Sequence, residues 1–240
     1  MTDFGVDWQI HNYARWNGGI IGQGGPSNDQ FASLWSQLAT KYASEAGVMF
    51  GLMNEPHDVP DIHAWAASAQ AAVTAIRQAE AAAGGSAHTI LIPGNDWTGA
   101  GPFPTNSGPA LLGIANPDGT AAGLVFDVHK YSDTDGSGTH TECVTDNISS
   151  AFAPLADWLR ANGRQALNTE MGGGNTDSCA RYVCAQIAYL NQNADVYLGY
   201  VGWAAGSFNP ATYELSEVPA NNGGSWADTS LVQACFNKAA

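Results

Sequence analysis

Gly47-Val48-Met49-Phe50-Gly51-Leu52-Met53-Asn54-Glu55-Pro56-His57 is an apolar run that stops on a polar triplet. A run of that length bounded by Gly and Pro reads as a buried strand, with Asn54 and Glu55 where it meets its loop. In parallel α/β folds that end of a strand is where chemistry is placed. The fold, and the partner that Glu55 needs, are therefore read outward from this point.

Towards the N-terminus, Phe4, Val6, Trp8 and Ile10 alternate with a strand's period, and the run ends on His11-Asn12-Tyr13-Ala14-Arg15-Trp16. The glycine-rich stretch Asn17 to Gly25 lacks the Lys-Ser or Lys-Thr of a phosphate loop and reads as a flexible loop. Ser27 caps a helix in which Phe31, Leu34, Trp35, Leu38 and Tyr42 recur at threes and fours. Towards the C-terminus, an alanine-rich helix from Asp61 to Ala83 is stopped by Gly84-Gly85. Further strands are expected at Thr89 to Pro93, Leu124 to Val128, Gln165 to Thr169 and Val196 to Trp203. Helices are expected near Ala110 to Ala115, at Ile148 to Asn162, at Cys179 to Asn193, and after Asp228 as a cap. The Asn-, Gly- and Ser-rich stretch up to Gly224 reads as loop.

Six strand-then-helix units in strict alternation are the signature of a parallel α/β architecture. Nearly every strand stops on polar or aromatic groups: His11/Asn12, Asn54/Glu55, Asn95/Asp96/Trp97, His129/Tyr131, Glu170 and Trp203. A doubly wound sheet gathers its site at one switch point, whereas a TIM-type (β/α)8 barrel draws on many strand ends. The barrel is the expected fold, as a single catalytic domain over residues 1–240, although only six of its eight units are found.

Against 8 basic residues stand 22 acids, a net charge of −14, which disfavours nucleic acid or an anionic membrane surface as partner. No run of about 18 apolar residues exists to span a bilayer. A neutral substrate fits this balance. Four cysteines, Cys143, Cys179, Cys184 and Cys235, show no zinc-ligand spacing; their even number in a Lys-poor chain points to two disulfides formed in an oxidising compartment. The sequon Asn147-Ile148-Ser149 agrees with secretion, but Met1-Thr2-Asp3 opens no signal segment. His11, His57 and His129 lie on different elements without a ligand motif, so neither a metal nor another cofactor is expected.

Glu55 and Glu170 end two of the strands, 115 residues apart. Glycoside hydrolysis needs such a pair, one carboxyl protonating the leaving oxygen while the other stays ionised. Taken alone, each is equally readable as a surface glutamate at a strand end. His129 and Tyr131 are placed to orient the ionised glutamate, or His129 is simply satisfied by a loop carbonyl. Trp203, followed by Ala204-Ala205-Gly206, presents either a core ring or an open face for a sugar. No GxSxG elbow supports a serine nucleophile.

Five motifs in order, Ile10 to Trp16, Met53-Asn54-Glu55-Pro56-His57, Phe126 to Tyr131, Thr169 to Asn175 and Gly199 to Trp203, resemble the fungal endo-β-1,4-glucanases of glycoside hydrolase family five. The resemblance covers the chain from about residue 10 onward. It implies a secreted (β/α)8 barrel that cuts internal bonds of cellulose with retention. It further implies Glu55 as acid/base and Glu170 as nucleophile, with Asn54 holding the adjacent sugar hydroxyl and His129 and Tyr131 flanking the nucleophile. His11 and Asn12 would line the cleft, Trp203 would be its sugar platform, and the bridges would be Cys143–Cys179 and Cys184–Cys235.

One departure stands out. Family members carry two further strands before the one ending in His-Asn, one of which supplies an arginine that positions the nucleophile; only nine residues precede Ile10 here. Met1-Thr2, Phe4 and Trp8-Gln9 faintly resemble one of those strands. A shortened barrel leaves two unpaired edges, so either self-association covers them or the chain is less stable and less active than its relatives; weak activity at best is expected. Two other functions remain open: a hydrolase of mannan, xylan or mixed-linkage glucan, and a non-catalytic glucan-binding remnant using Trp203, Trp97 and Trp16.

Overall fold

The computed structural model describes residues 6–206, 208 and 212–237, with side chains from Gln9 onward. Phe4 and the Met1-Thr2 resemblance lie outside the described residues. The chain forms two compact units, Met1–Asp127 with Ala161–Gln165, and Val128–Arg160 with Ala166–Ala240.

In the first unit the elements are β1 (Val6–Gln9), β2 (Arg15–Trp16), β3 (Gly19–Ile20), α1 (Asn28–Tyr42), β4 (Val48–Gly51), α2 (Ile62–Ala83), β5 (Thr89–Pro93), α3 (Phe103–Asn106), α4 (Gly108–Leu111) and the start of β6 (Leu124–His129). The hydrogen-bonded order is β1-β4-β5-β6, all parallel, with Val6 opposite Val48, Met49 opposite Thr89 and Ile90 opposite Leu124. Parallel neighbours joined by helical crossovers bury both strand faces. Phe50, Leu91 and Ile92 are accordingly sealed from water, as are Trp35 of α1 and Trp65, Val73 and Ile76 of α2. Trp35 meets Phe50 edge-on at 5.7 Å, and Trp65 donates its indole N–H to the Pro93 carbonyl at 2.9 Å.

Both long helices begin and end where the sequence indicates. Ser27 and Gln30 form a reciprocal capping box at α1. Asp61 accepts from the His63 N–H at α2, and Gly84 closes that helix at φ +68, a conformation a side chain resists. The flexible-loop expectation for Asn17 to Gly25 is corrected: β2 and β3 pair antiparallel across Asn17 (φ +48) and Gly18 (φ +80). Asn-Gly is the pair that fits a turn needing two left-handed residues. The single short helix expected at Ala110 to Ala115 is instead α3 and α4, each opened by a proline.

Below β5 a buried ion cluster ties α2 to the strand. Glu80 accepts from Arg77 Nη1 at 2.8 Å, from the His88 backbone N–H at 3.0 Å and pairs with His88 Nδ1 at 2.8 Å. Removing one member of such a pair strands a buried charge. Glu80→Ala is expected to destabilise the protein by roughly 3–5 kcal/mol, read as a lower urea midpoint; an unchanged midpoint would mean that water replaces the carboxylate.

In the second unit the end of β6 is followed by a π-helical turn (Ile148–Phe152), α5 (Ala153–Ala161), β7 (Ala166–Met171), α6 (Asp177–Gln192), β8 (Tyr197–Gly202), the hairpin strands β9 (Ala220–Asn222) and β10 (Ser225–Ala227), and a second π-helical turn (Val232–Phe236). β7 and β8 are parallel with two register shifts, and Lys130 donates its backbone N–H to the Glu170 carbonyl at 3.1 Å beside β7. Phe152, Leu155, Leu159, Val183 and Tyr197 form the core, and Tyr197 donates its hydroxyl to the Phe152 carbonyl at 2.6 Å. Cys143–Cys179 and Cys184–Cys235 are the bridges, as the resemblance implies. They span 36 and 51 residues, each worth about 4 kcal/mol in the chain-entropy model.

Three expectations change in this unit. The helix from Ile148 opens as a π turn before α5, and the stretch before Gly224 contains a hairpin turning on Gly223-Gly224. Asp228 does not cap the last helical turn; its carboxylate accepts from the Asn237 side chain. The sequon also reads differently. Asn147 is only 4% exposed, and its amide donates to the Tyr131 carbonyl at 2.9 Å. The amide that would carry a glycan instead holds the backbone of Tyr131.

Candidate active site

At the strand exits of the first unit, the chain leaves β4 through Leu52 and Met53, both buried, and Asn54 donates its backbone N–H to Ile10 O at 2.8 Å. That bond brings the exits of β1 and β4 together. The Asn54 amide nitrogen lies 3.3 Å from His11 Nε2. Asn54 Oδ1 and Asn12 Oδ1 are buried acceptors without a protein partner. Buried acceptors are normally satisfied, and a sugar hydroxyl, which donates one hydrogen, can fill either of them.

Glu55 follows at φ +43, half-buried, in left-handed backbone that a non-glycine residue adopts only when its surroundings enforce it. Tyr13, Ala14, Asp58, Asp96, Trp97 and Thr98 share that conformation. The concentration of strained backbone marks the strand exits, where left-handed residues redirect the chain. Trp97 is 50% exposed and stacks on His57 with centroids 4.6 Å apart and planes 7° from parallel. Tyr13 meets the same imidazole edge-on, and Arg15 donates to the His57 and Tyr13 carbonyls at 2.7 and 2.9 Å. A pocket of ≈ 500 Å³ opens beside Asn12 and Trp16, lined by apolar Ile10, Ile21, Phe31 and Met53.

At the strand exits of the second unit, Glu170 lies near the end of β7 and is 7% exposed. Tyr131 donates its hydroxyl to Glu170 Oε2 at 2.8 Å, and His129 Nδ1 lies 3.5 Å from the same oxygen. A buried carboxylate that accepts such contacts is stabilised in its charged form and held in one orientation. Met171 and three glycines come next. A Cβ on Gly172 would fall 2.5 Å from the Trp203 carbonyl, and one on Gly173 would strike both sulfurs of Cys143–Cys179. The glycines let the backbone after Glu170 press against the exit of β8 and the disulfide.

Trp203 donates its backbone N–H to Met171 O and its indole N–H to Tyr213 Oη, both at 2.8 Å. Phe208 stacks on Tyr213 at 4.5 Å and tilts towards Trp203 at 5.9 Å, so Trp203 is one member of an aromatic wall. Tyr213 has its pKa raised, first by burial, with Trp203 opposing and the Glu170 and Glu217 charges adding to the rise. Phe208, Tyr213 and Glu217 escaped the sequence reading, since they lie in a stretch with neither helical nor strand period. Further along the same unit, Asp133, Asp135 and His140 bring three donor atoms within 4.8 Å. His140 Nδ1 is 3.0 Å from Asp133 Oδ2, and this bond leads the causes that raise the imidazole pKa.

The cellulase family model, described as glycosyl hydrolase family 5, matches residues 6–208. Endoglucanase EG-II of Hypocrea jecorina is 63% identical over 228 residues, which is 95% of this chain and 53% of that protein. The crystal structure of Cel5A (EG2) from the same fungus aligns at TM-score 0.90 with 62% identity, covering 95% of this chain and 68% of that one. A solved lucidum protein aligns at 0.93 with 59% identity, covering 98% and 71%. The chain thus spans about half the length of the curated relatives it matches. The fold class is the TIM-type (β/α)8 barrel expected from the strand ends, with six parallel strands among the described residues.

Proposed function

Because the chain belongs to glycosyl hydrolase family 5, we propose that it is the catalytic domain, or part of it, of an endo-acting β-1,4-glucanase. The observation that carries the reading is the Tyr131–Glu170 hydrogen bond at 2.8 Å, with His129 on the same oxygen. A hydroxyl donated to a carboxylate favours its charged form and holds it in one orientation, as a displacement at a sugar carbon requires. Glu170 attacks the anomeric carbon while Glu55 delivers a proton to the leaving oxygen. A covalent glycosyl ester forms at Glu170. Glu55, now a carboxylate, then takes a proton from water, and that water returns the sugar with its original configuration.

Binding roles follow from the same groups. Asn54 and Asn12 supply the unfilled acceptors, with His11 beside Asn54. Trp203 offers its ring to a glucose face, fixed by its indole bond to Tyr213. No cofactor enters any of these steps. Two disulfides fit an extracellular site of action.

The test is trapping with a 2-deoxy-2-fluoro cellobioside bearing a good leaving group. The expected result is a mass increase of one fluorocellobiosyl unit on the peptide that contains Glu170. Absence of label in a folded, glucan-binding sample would favour a non-catalytic binding module. Label with a mannose- or xylose-based reagent alone would move the substrate to another polymer.

Self-association belongs to the same reading. β1 and β8 each have a strand partner on one side only among the described residues, and β8 leaves Leu198 and Val201 42% and 46% exposed. Unpaired edges with apolar side chains recruit further strands. Light scattering on a size-exclusion column is expected to show a species above 25.0 kDa whose mass rises with loading; one mass of 25.0 kDa at every loading rejects this part.

A further inference from the structure

We propose that Glu217, as a neutral carboxylic acid, is a positioning residue for the Trp203–Tyr213 wall, and that its ionisation loosens that wall. This rests on the reading of Trp203 as a sugar platform. Glu217 is 9% exposed, and its Oε1 is buried with no protein partner. Its carboxyl lies against the backbone of Gly202, the residue before Trp203: a Cβ there would sit 2.5 and 2.7 Å from the two oxygens. Only a glycine at the end of β8 admits this group.

The backbone ties Glu217 to the wall. Its N–H donates to Ala204 O at 2.9 Å, the Ala204 N–H donates to Leu215 O at 3.3 Å, and Ser216 N–H donates to Tyr213 O at 3.1 Å. Residues 213–217 therefore form a strap lying on the residue after Trp203. That strap carries the Tyr213 hydroxyl, which accepts from the Trp203 indole. The Asn175 amide holds the same strap at Ser216 O at 3.0 Å.

Among the described residues no cation pairs with Glu217, and burial pushes its pKa up to about 7. The titratable neighbour is Tyr213, which feels the Glu217 and Glu170 charges. An ionised Glu217 would be a buried charge without a counter-ion, and such a group moves towards water. Its route to water draws residues 215–217 off Ala204 and takes Tyr213 with them. A neutral acid keeps the strap seated.

The experiment compares the protein with Glu217→Gln, an isostere that stays neutral, and with Tyr213→Phe, which removes the other titrating group. Near-ultraviolet circular dichroism between pH 5 and 8.5 reads the order of the wall without any substrate. The expected result is a change centred near pH 7 that persists in Tyr213→Phe and vanishes in Glu217→Gln. In a Glu170→Gln background, the Kd for a cello-oligosaccharide is expected to rise roughly tenfold between pH 6 and 8, and to stay flat once Glu217→Gln is added.

Stability supplies a further arm. The folded pKa lies above the ordinary 4.5, so relative to Glu217→Gln the protein keeps full stability below that value. It loses stability as pH rises to about 7 and changes no further above it. The difference in thermal midpoint should reach roughly 5–10 °C. Identical pH profiles for the protein and Glu217→Gln in the dichroism overturn the proposal. A dichroism change that follows Glu217 with no effect on glucan binding overturns the sugar-platform reading instead.

Discussion

Glu170→Gln is expected to lower the turnover of an aryl β-cellobioside by at least roughly 10⁴-fold while leaving the fold intact. The amide is the same size and can still meet the Tyr131 hydroxyl, which donates at 2.8 Å to Oε2. It cannot attack carbon. Because the loss is in the chemical step, kcat falls while the Kd for a cello-oligosaccharide changes little. Turnover is followed by phenolate release, and folding by far-ultraviolet dichroism. A loss below tenfold would remove Glu170 from the nucleophile's role.

Glu55→Ala is expected to lower turnover by roughly 10²–10⁴-fold on substrates with poor leaving groups. Substrates with good leaving groups need no proton for the first step, so they lose less there and then accumulate the glycosyl enzyme. Added azide, which needs no general base, should restore the second step. The product expected is the β-glycosyl azide, whose configuration requires two displacements. An α-azide in the rescued reaction would mean a single displacement. A lack of rescue would mean that Glu55 acts elsewhere than as the base.

The legibility of the site follows the kind of signal each residue carries. Glu55 and Glu170 stand out as candidates because a charged residue at the end of an apolar run is locally anomalous. Tyr131 was readable through its place at the next strand exit, and the structure supplies its bond to Glu170. Asn147 carries a local pattern, the sequon, that means something different once its amide is buried against Tyr131 O. Glu217 carries no local anomaly at all. Its environment is made by Gly202 and Ala204, on a different element, and by the burial that those contacts impose.

Errors in the fold have the same origin. The Asn17–Gly18 hairpin was present in the sequence as an Asn-Gly pair, yet the surrounding glycines hid the two short strands that it joins. The π turns at Ile148–Phe152 and Val232–Phe236 keep a helical spacing of apolar residues, so periodicity cannot tell them from α-helix. The three glycines after Glu170 announce a requirement without naming it. Only the positions of the Trp203 carbonyl and the Cys143–Cys179 sulfurs explain them.

By itself the sequence determined the alternation of strands and helices, the parallel class of the fold and the helix caps at Ser27, Asp61 and Gly84, and it singled out the two glutamates with their flanking groups as candidates. These are encoded by periodicity, by capping and by polar interruption, which act within a few residues of chain. The tertiary structure alone decided which oxygen of Glu170 is held, which aromatic rings stand with Trp203, and that Glu217 sits buried with no counter-ion among the described residues. Each depends on contacts between residues distant in sequence, and desolvation is a property of the packed surroundings rather than of any local pattern.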